Sequence, residues 1–473
     1  MFETANRALA DQRFADAIPL LEQALAQAPA GPHTADAWFN LGFARRMQLD
    51  LTGALAAYDQ ALALDISQPE TVHLNKAALQ ADLLHDVGAA RASLAAAIAA
   101  NPAFTLAWLN LGQLEEDAGN PLAARTAYET VLSLQPKAGR ALARLAAIDI
   151  FEGKPEAAHN RLTTAAIDPA NTVDAIETEF ALAAACDALG LHDAAFGHAE
   201  TANDAQRRFT VLPYRPAEQA RQIDALIAMF PKEAPVTAST GLRPIFICGL
   251  FRSGSTLVES LINRRLGVAM GGELGFTPWF IAQQQGLNRA SRDAMVAAYR
   301  DGYTRFCRTV LGDVTRFTDK RMDNFLYIGL IKRAFPDALI VHTLRNPVDN
   351  FLSMYFLPFA DSLAYASDWD DMLDFYRQYR RLMAHWQDCY GDDIITLRYD
   401  DLVADPDAVI GTLAARLGVE TAATPPGEQI IRTASAWQVR QPLHGRSSGR
   451  WRQYQDHVGE IAALLQQDYP ALF

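Results

Sequence analysis

Along the first 205 residues, apolar and polar positions alternate with the rhythm of helices that bury one face, and the rhythm itself repeats every 35 residues. Asn40, Asn75 and Asn110 are in phase, as are Tyr58, Ser93 and Tyr128, and Ala54, Ala89 and Ala124. Two copies share Trp38-x-Asn40-Leu41-Gly42 and Trp108-x-Asn110-Leu111-Gly112, and each is followed by Ala-x3-Tyr-x2-Ala/Val-Leu. Each copy predicts two amphipathic helices, with Ala and Gly where they approach closely and Trp, Leu and Tyr filling the gaps between. Partial copies stand at Ala17 to Pro29 and Ala158 to Pro169, and a further hairpin at Ala181 to Asn203. Trp38, Tyr58, Trp108 and Tyr128 are expected in the core, because repeat columns generally encode stacking. Asn40, Asn75, Lys76 and Asn110 are the candidates for a concave, peptide-holding face. Beyond residue 205 the pattern is broken by Arg207-Arg208, Pro213, Pro216, Pro231 and Pro235, which predicts a helical linker over 206–240.

At Arg243 the pattern changes. Pro244-Ile-Phe-Ile-Cys-Gly249 is a short β-rich apolar run, followed by Leu-Phe-Arg-Ser-Gly-Ser-Thr256 and the helical Leu257-Val-Glu-Ser-Leu-Ile262. Strand, loop and helix in that order are the layout of a phosphate loop, and Gly249 and Gly254 have the spacing that lets backbone amides converge on phosphate oxygens. A nucleoside-triphosphatase loop has lysine where this chain has Ser255, so the β/γ-phosphate clamp is missing and the loop's cation is Arg252. A second strand and turn, Ala338 to Leu344 followed by Arg345-Asn-Pro347, leads into a helix that carries Ser353.

These motifs carry two resemblances. Residues 1–205 resemble tetratricopeptide repeats. Phe251 to Leu257 resembles the 5′-phosphosulfate loop of sulfotransferases, which use 3′-phosphoadenosine 5′-phosphosulfate without a metal. Arg345 and Ser353 have the eight-residue spacing with which that family grips the donor's 3′-phosphate. Further segments extend the match over 243–454: Gly271-Gly-Glu273, Asp319-Lys320 with Asn324-Phe325, Leu397-Arg-Tyr399-Asp-Asp-Leu402, and Trp437 through Tyr454. The whole is similar to bacterial sulfotransferases that carry tetratricopeptide repeats, and more distantly to protein-tyrosine sulfotransferases. The resemblance implies Glu273 as base, with Arg252 and Lys320 stabilising the departing phosphate. It also implies a donor set of Arg252, Ser253, Gly254, Ser255, Thr256, Leu257, Arg345, Ser353, Tyr399, Arg446, Ser448, Gly449, Arg450 and Trp451. Two serines precede Gly449-Arg450-Trp451 in the segment that resembles the family's Ser-x-Gly-Arg-Trp, so Ser447 and Ser448 are alternatives. Phe251 replaces the commoner Pro, and Arg321-Met322 replaces a Pro-containing run.

The expected architecture is therefore α plus α/β. A helical repeat solenoid occupies 1–205 and a linker 206–240. A P-loop-type domain with a parallel sheet flanked by helices occupies 241–473. The chain's 473 residues, 50% of them hydrophobic, suffice for separate cores. Its net charge of −13 argues against nucleic acid and anionic membrane as partners. Residues 1–240 hold 17 Lys and Arg against 29 Asp and Glu, and the remainder 25 against 26, so the acid lies in the first half. The four cysteines have no CxxC spacing and the ten histidines no HxxxH or HExxH pair, so no metal site is expected. His342, on an apolar strand, reads as a satisfied core residue. Neither a signal sequence nor a long apolar span is evident, and the expected compartment is the cytoplasm. The repeats suit a protein or peptide acceptor or partner, and also self-association. The rival classes are an adaptor with an inactive transferase-like domain and a nucleotide-dependent kinase. The intact Glu273 and Arg252 speak against the first, and Ser255 against the second.

Overall fold

The computed structural model describes residues 1–165, 171–234, 241–284, 292–359, 361–420 and 447–473. It divides into two compact units, Met1–Pro136 and Lys137–Phe473.

The first unit is an array of helical hairpins running from Phe2–Ala10 to Pro121–Leu134. The sequence columns explain how they pack. Ala54, Tyr58, Ala124 and Tyr128 are buried. A Cβ added at Gly42 would lie 2.6 Å from Tyr58 Cδ1, and one at Gly112 2.4 Å from Tyr128 Cε1, so each repeat glycine makes room for the tyrosine of its partner helix. Helix starts follow local rules. Asp50 accepts from Gly53 N at 3.0 Å and Asp86 from Ala89 N at 2.9 Å, while Pro69 and Pro121 open their helices. The polar column is occupied within the array: Asn40 donates to Asn6, Asn75 accepts from Arg46, Lys76 pairs with Asp59, and Asn110 donates to Leu106 O. Trp38 and Trp108 are half-buried.

Among the described residues the second unit begins with five helices, from Gly139–Phe151 to Pro216–Met229, and continues into a five-stranded sheet. Its strands are β1 (Ile245–Gly249), β2 (Ala269–Met270), β3 (Phe317–Lys320), β4 (Leu339–Leu344) and β5 (Ile394–Arg398), all parallel in the order β2-β3-β1-β4-β5. β1 and β4 are buried at every position, which is why they read as unbroken apolar runs: a parallel sheet is covered by helices on both faces. One core gathers Ile245, Ile247, Val341, Ile262 and Leu413; aromatic rings including Phe276, Tyr299, Tyr303 and Phe335 form another. The helix His192–Phe209 belongs to this unit through contacts of its own. Asn203 donates to Tyr355 O at 2.8 Å, and Phe196 stacks on His457 with ring centroids 4.2 Å apart.

Parallel order puts the C-terminal ends of all five strands along one edge, where α/β sheets present their ligand sites. Gly249, Gly271, Lys320, Arg345 and Tyr399 stand at or just beyond those ends. Among the described residues no helix is long and apolar enough to cross a membrane.

Candidate active site

The loop after β1 is forced into shape by its neighbours. Gly249 has φ +151, and a Cβ there would lie 2.4 Å from Thr343 O on β4. Gly254 has φ +97, and a Cβ there would meet Tyr399 Cδ2 at 2.6 Å. Ser253 is buried and donates to Leu250 O at 2.6 Å, with Thr343 Oγ1 also 2.6 Å away, so its hydroxyl ties the loop to β4. Arg252 has φ +71, a strained conformation for a residue with a side chain. The helix Ser255–Leu266 follows directly, and its N-terminus carries the partial positive charge of unsatisfied amides. Leu257 packs instead against the apolar core under the sheet.

Two arginines converge here. Arg252 Nε donates to Ser353 Oγ at 3.0 Å, and Arg345 Nη1 donates to Arg252 O at 3.1 Å. The Arg345 guanidinium lies 4.9 Å from the centre of the Tyr399 ring, a cation–π contact, and its Nε is buried with no partner among the described residues. Burial, with Arg345 nearby, pushes Arg252 down to about 10; burial also lowers Arg345. Clustered cations in a desolvated place destabilise one another until an anion arrives.

On the other side of β1, the ends of β2 and β3 assemble a second group. Gly271 N donates to Thr318 O at 3.0 Å and Lys320 N to Gly272 O at 2.7 Å, which brings Lys320 Nζ to 2.6 Å from Glu273 Oε1. The lysine is buried and the glutamate half-exposed. Beneath them Glu259, buried in the helix after the loop, accepts from Gly272 N at 3.1 Å and Thr318 Oγ1 at 2.7 Å. Burial raises its pKa, against the pull of Lys320. Sequence reasoning passed over Glu259; the available signal was a carboxylate flanked by Val258 and Ile262 on a buried helix. Asp319 is buried too, accepts from Tyr303 OH at 2.8 Å, and is pushed up to about 7 by burial.

The C-terminal segment closes over the β4 side. Asp349 accepts from Gly449 N at 2.6 Å and Trp451 N at 2.8 Å; Arg345 donates to Ser447 O, and Ser448 Oγ to Asp400. Asp349 is a second residue that sequence reasoning missed. Arg450 pairs with Asp187 at 2.9 Å and lies over the rings of Phe356 and Tyr454. The buried Trp451 Nε1 has no partner among the described residues. Arg446, with Trp437 and Arg440, lies outside the described residues. His342 is buried between Tyr379 OH and Thr396 Oγ1, and burial lowers its pKa to about 3. Among the described residues no cluster of three metal-ligating side chains occurs.

Residues 244–423 match the Sulfotransferase family, and residues 2–69 and 78–138 match the Tetratricopeptide repeat family. An uncharacterized protein of Aquifex aeolicus (strain VF5) is 27% identical over 256 residues, covering 49% of this chain and 33% of the relative, so the matched part is about a third of that protein. Among solved structures, the sulfotransferase domain of the Synechococcus PCC 7002 olefin synthase aligns over 46% of this chain and 90% of its own, with 18% identity and a TM-score of 0.35. A tetratricopeptide repeat protein from Parabacteroides merdae aligns over 49% of this chain and 86% of its own, with 20% identity and a TM-score of 0.36.

Proposed function

Because the chain carries a sulfotransferase-family domain behind tetratricopeptide repeats, we propose that it moves a sulfuryl group from 3′-phosphoadenosine 5′-phosphosulfate to an acceptor hydroxyl, that of a protein or peptide tyrosine. The observation that carries this reading is the pairing, across one loop, of the Arg252–Arg345 cluster with the Glu273–Lys320 ion pair.

Each residue then has a task. The amides from Ser253 to Thr256 and the helix N-terminus bind the 5′-phosphosulfate, while Arg345 and Ser353 take the 3′-phosphate. Tyr399 and Trp451 offer aromatic surface for the adenine. The Arg345 and Trp451 nitrogens that have no partner among the described residues are donors suited to that ligand. Glu273 accepts the acceptor's hydroxyl proton as the acceptor oxygen bonds to sulfur. The bond from sulfur to the bridging oxygen breaks, and its electron pair stays on the 5′-phosphate. Arg252, Lys320 and the loop amides stabilise that charge, so positioning and electrostatics supply most of the rate. Until the acceptor arrives, Lys320 holds the Glu273 carboxylate in place. Ser448, engaged with Asp400, and Arg450, engaged with Asp187, serve by fastening the segment around Gly449. The repeats recruit the acceptor or a protein partner.

Calorimetric titration of the full chain with adenosine 3′,5′-bisphosphate in EDTA, with ADP as comparison, tests the donor site. Micromolar binding that prefers the 3′-phosphate is expected. A folded protein that binds neither nucleotide would leave the adaptor reading in its place.

A further inference from the structure

A cavity of 530 Å³ opens beside the phosphate loop, between Gly249–Phe251 on one wall and Asp323, Phe325 and Leu326 on another. Its place in the sheet order is informative. β1 is central; β4 and β5, which lead to Arg345 and Tyr399, lie to one side, and β3, which ends on Lys320, to the other. The cavity borders the loop after β1 and the turn after β3, with Leu363–Tyr365 and Phe375 from the segment after β4, and neither Glu273 nor Arg345 is among its lining residues. The size is that of a small-molecule site.

The rest of the lining comes largely from outside the family-matched residues. Leu212, Tyr214 and Gln222 precede the domain, and Tyr365 and Phe375 complete the wall. Tyr365 and Phe375 stack with centroids 3.8 Å apart at 7°, Tyr214 stands edge-on to both, and Phe325 meets Phe375 at 84°. Rings arranged in this way favour another aromatic ring by stacking or edge contacts. At the cavity's edge the lining residue Leu212 is exposed, as are Val211 and Phe209 before it, an apolar lip turned to water.

The charge around the cavity is one-sided. The lining residue Arg215 is tied to Glu218, and the lining residue Asp323 to Arg321, both at 2.9 Å, so the lining's arginine is already compensated. Asp374 accepts from Tyr214 OH at 2.7 Å, and its neighbour Asp371 is pushed up to about 6 by burial and by Asp368, Asp374 and Asp370, with Arg207 opposing. A carboxylate brought here meets repulsion.

We propose that this cavity is the acceptor subsite and that it takes an uncharged or cationic phenol, its ring among Tyr214, Phe325, Tyr365 and Phe375 and its hydroxyl toward the phosphate loop. The assignment rests on the transferase reading and deepens it: flanking acidic groups are excluded, and residues ahead of the catalytic domain set specificity.

The test titrates the full chain with tyramine, with 3-(4-hydroxyphenyl)propionate as the same ring bearing an anion, and with 2-cyclohexylethylamine as a cation without an aromatic ring. Tyramine is expected to bind about tenfold more tightly than either. Gln222→Trp and Gln219→Trp, which put bulk into the cavity from exposed or half-exposed positions, are expected to weaken tyramine about tenfold while leaving adenosine 3′,5′-bisphosphate unaffected. Equal binding of the three compounds, or tyramine affinity unchanged in both variants, overturns the proposal. Tyramine binding in a protein that binds no adenosine 3′,5′-bisphosphate would overturn the acceptor role along with the donor reading. Nucleotide binding without tyramine selectivity would overturn this inference alone.

Discussion

Glu273 and Lys320 stand 47 residues apart in the chain and 2.6 Å apart in space, and the tasks proposed for them differ from those of Arg345. Glu273→Gln keeps the shape and removes the proton acceptor. It is expected to leave adenosine 3′,5′-bisphosphate affinity intact while lowering turnover by about 10² or more. Arg345→Ala is expected to do the reverse at the binding step, because a charge-assisted phosphate contact is worth about 1.5–3 kcal/mol, roughly tenfold or more in affinity. Titration and single-turnover assays of the two variants separate the effects; affinity equal to wild type in Arg345→Ala contradicts its role. Asp319 makes a pH prediction. Its pKa rises on folding from 3.8 to about 7, so the folded state holds the proton more tightly. The stability this contributes is complete below about 4 and is lost as pH rises through 7. Melting temperatures measured between pH 5 and 8 should therefore fall in the wild type and fall less in Asp319→Asn; parallel curves would show that Asp319 does not set this dependence.

Among elements, the strand–loop–helix unit from β1 to Leu266 was the most legible, because its instructions are contiguous. An apolar run makes a doubly covered strand, two glycines allow the loop, and an amphipathic segment resumes the helix. Gly254 shows where contiguity ends. Its positive φ is a local property, but the ring that forbids a side chain there belongs to Tyr399, at the far end of β5. Gly254→Ala should abolish measurable adenosine 3′,5′-bisphosphate binding and cost about 1–3 kcal/mol of stability, read by titration and denaturant melt. Unchanged binding would mean that the loop tolerates a different path. The partners of Glu259 and Asp349 were illegible for the converse reason. Each carboxylate accepts from a backbone amide of a distant segment, and a backbone donor leaves no mark on the sequence; Asp349 and Gly449 are 100 residues apart.

At the scale of the molecule, the helices Gly139–Phe151 to His192–Phe209 look in the sequence like continuing repeats, while in space they share a compact unit with the sheet. Asp187 is one of the fastenings, accepting from both Arg450 and Tyr454. Asp187→Ala should cost about 1–3 kcal/mol in unfolding and loosen the segment around Gly449, visible as faster amide exchange there. Protection equal to wild type would remove Asp187 from that task. The repeat period, the strand, loop and helix after Arg243 and the α plus α/β class all followed from order along the chain, since helix faces, strand runs and glycine spacings are short-range patterns. Which carboxylate meets which amide, which side of β1 gathers the arginines and which the Glu273–Lys320 pair, and where the cavity opens were decided only by folding. Those are relations between segments as much as 267 residues apart, brought together by the sheet order and the burial of apolar faces, and no local periodicity encodes them.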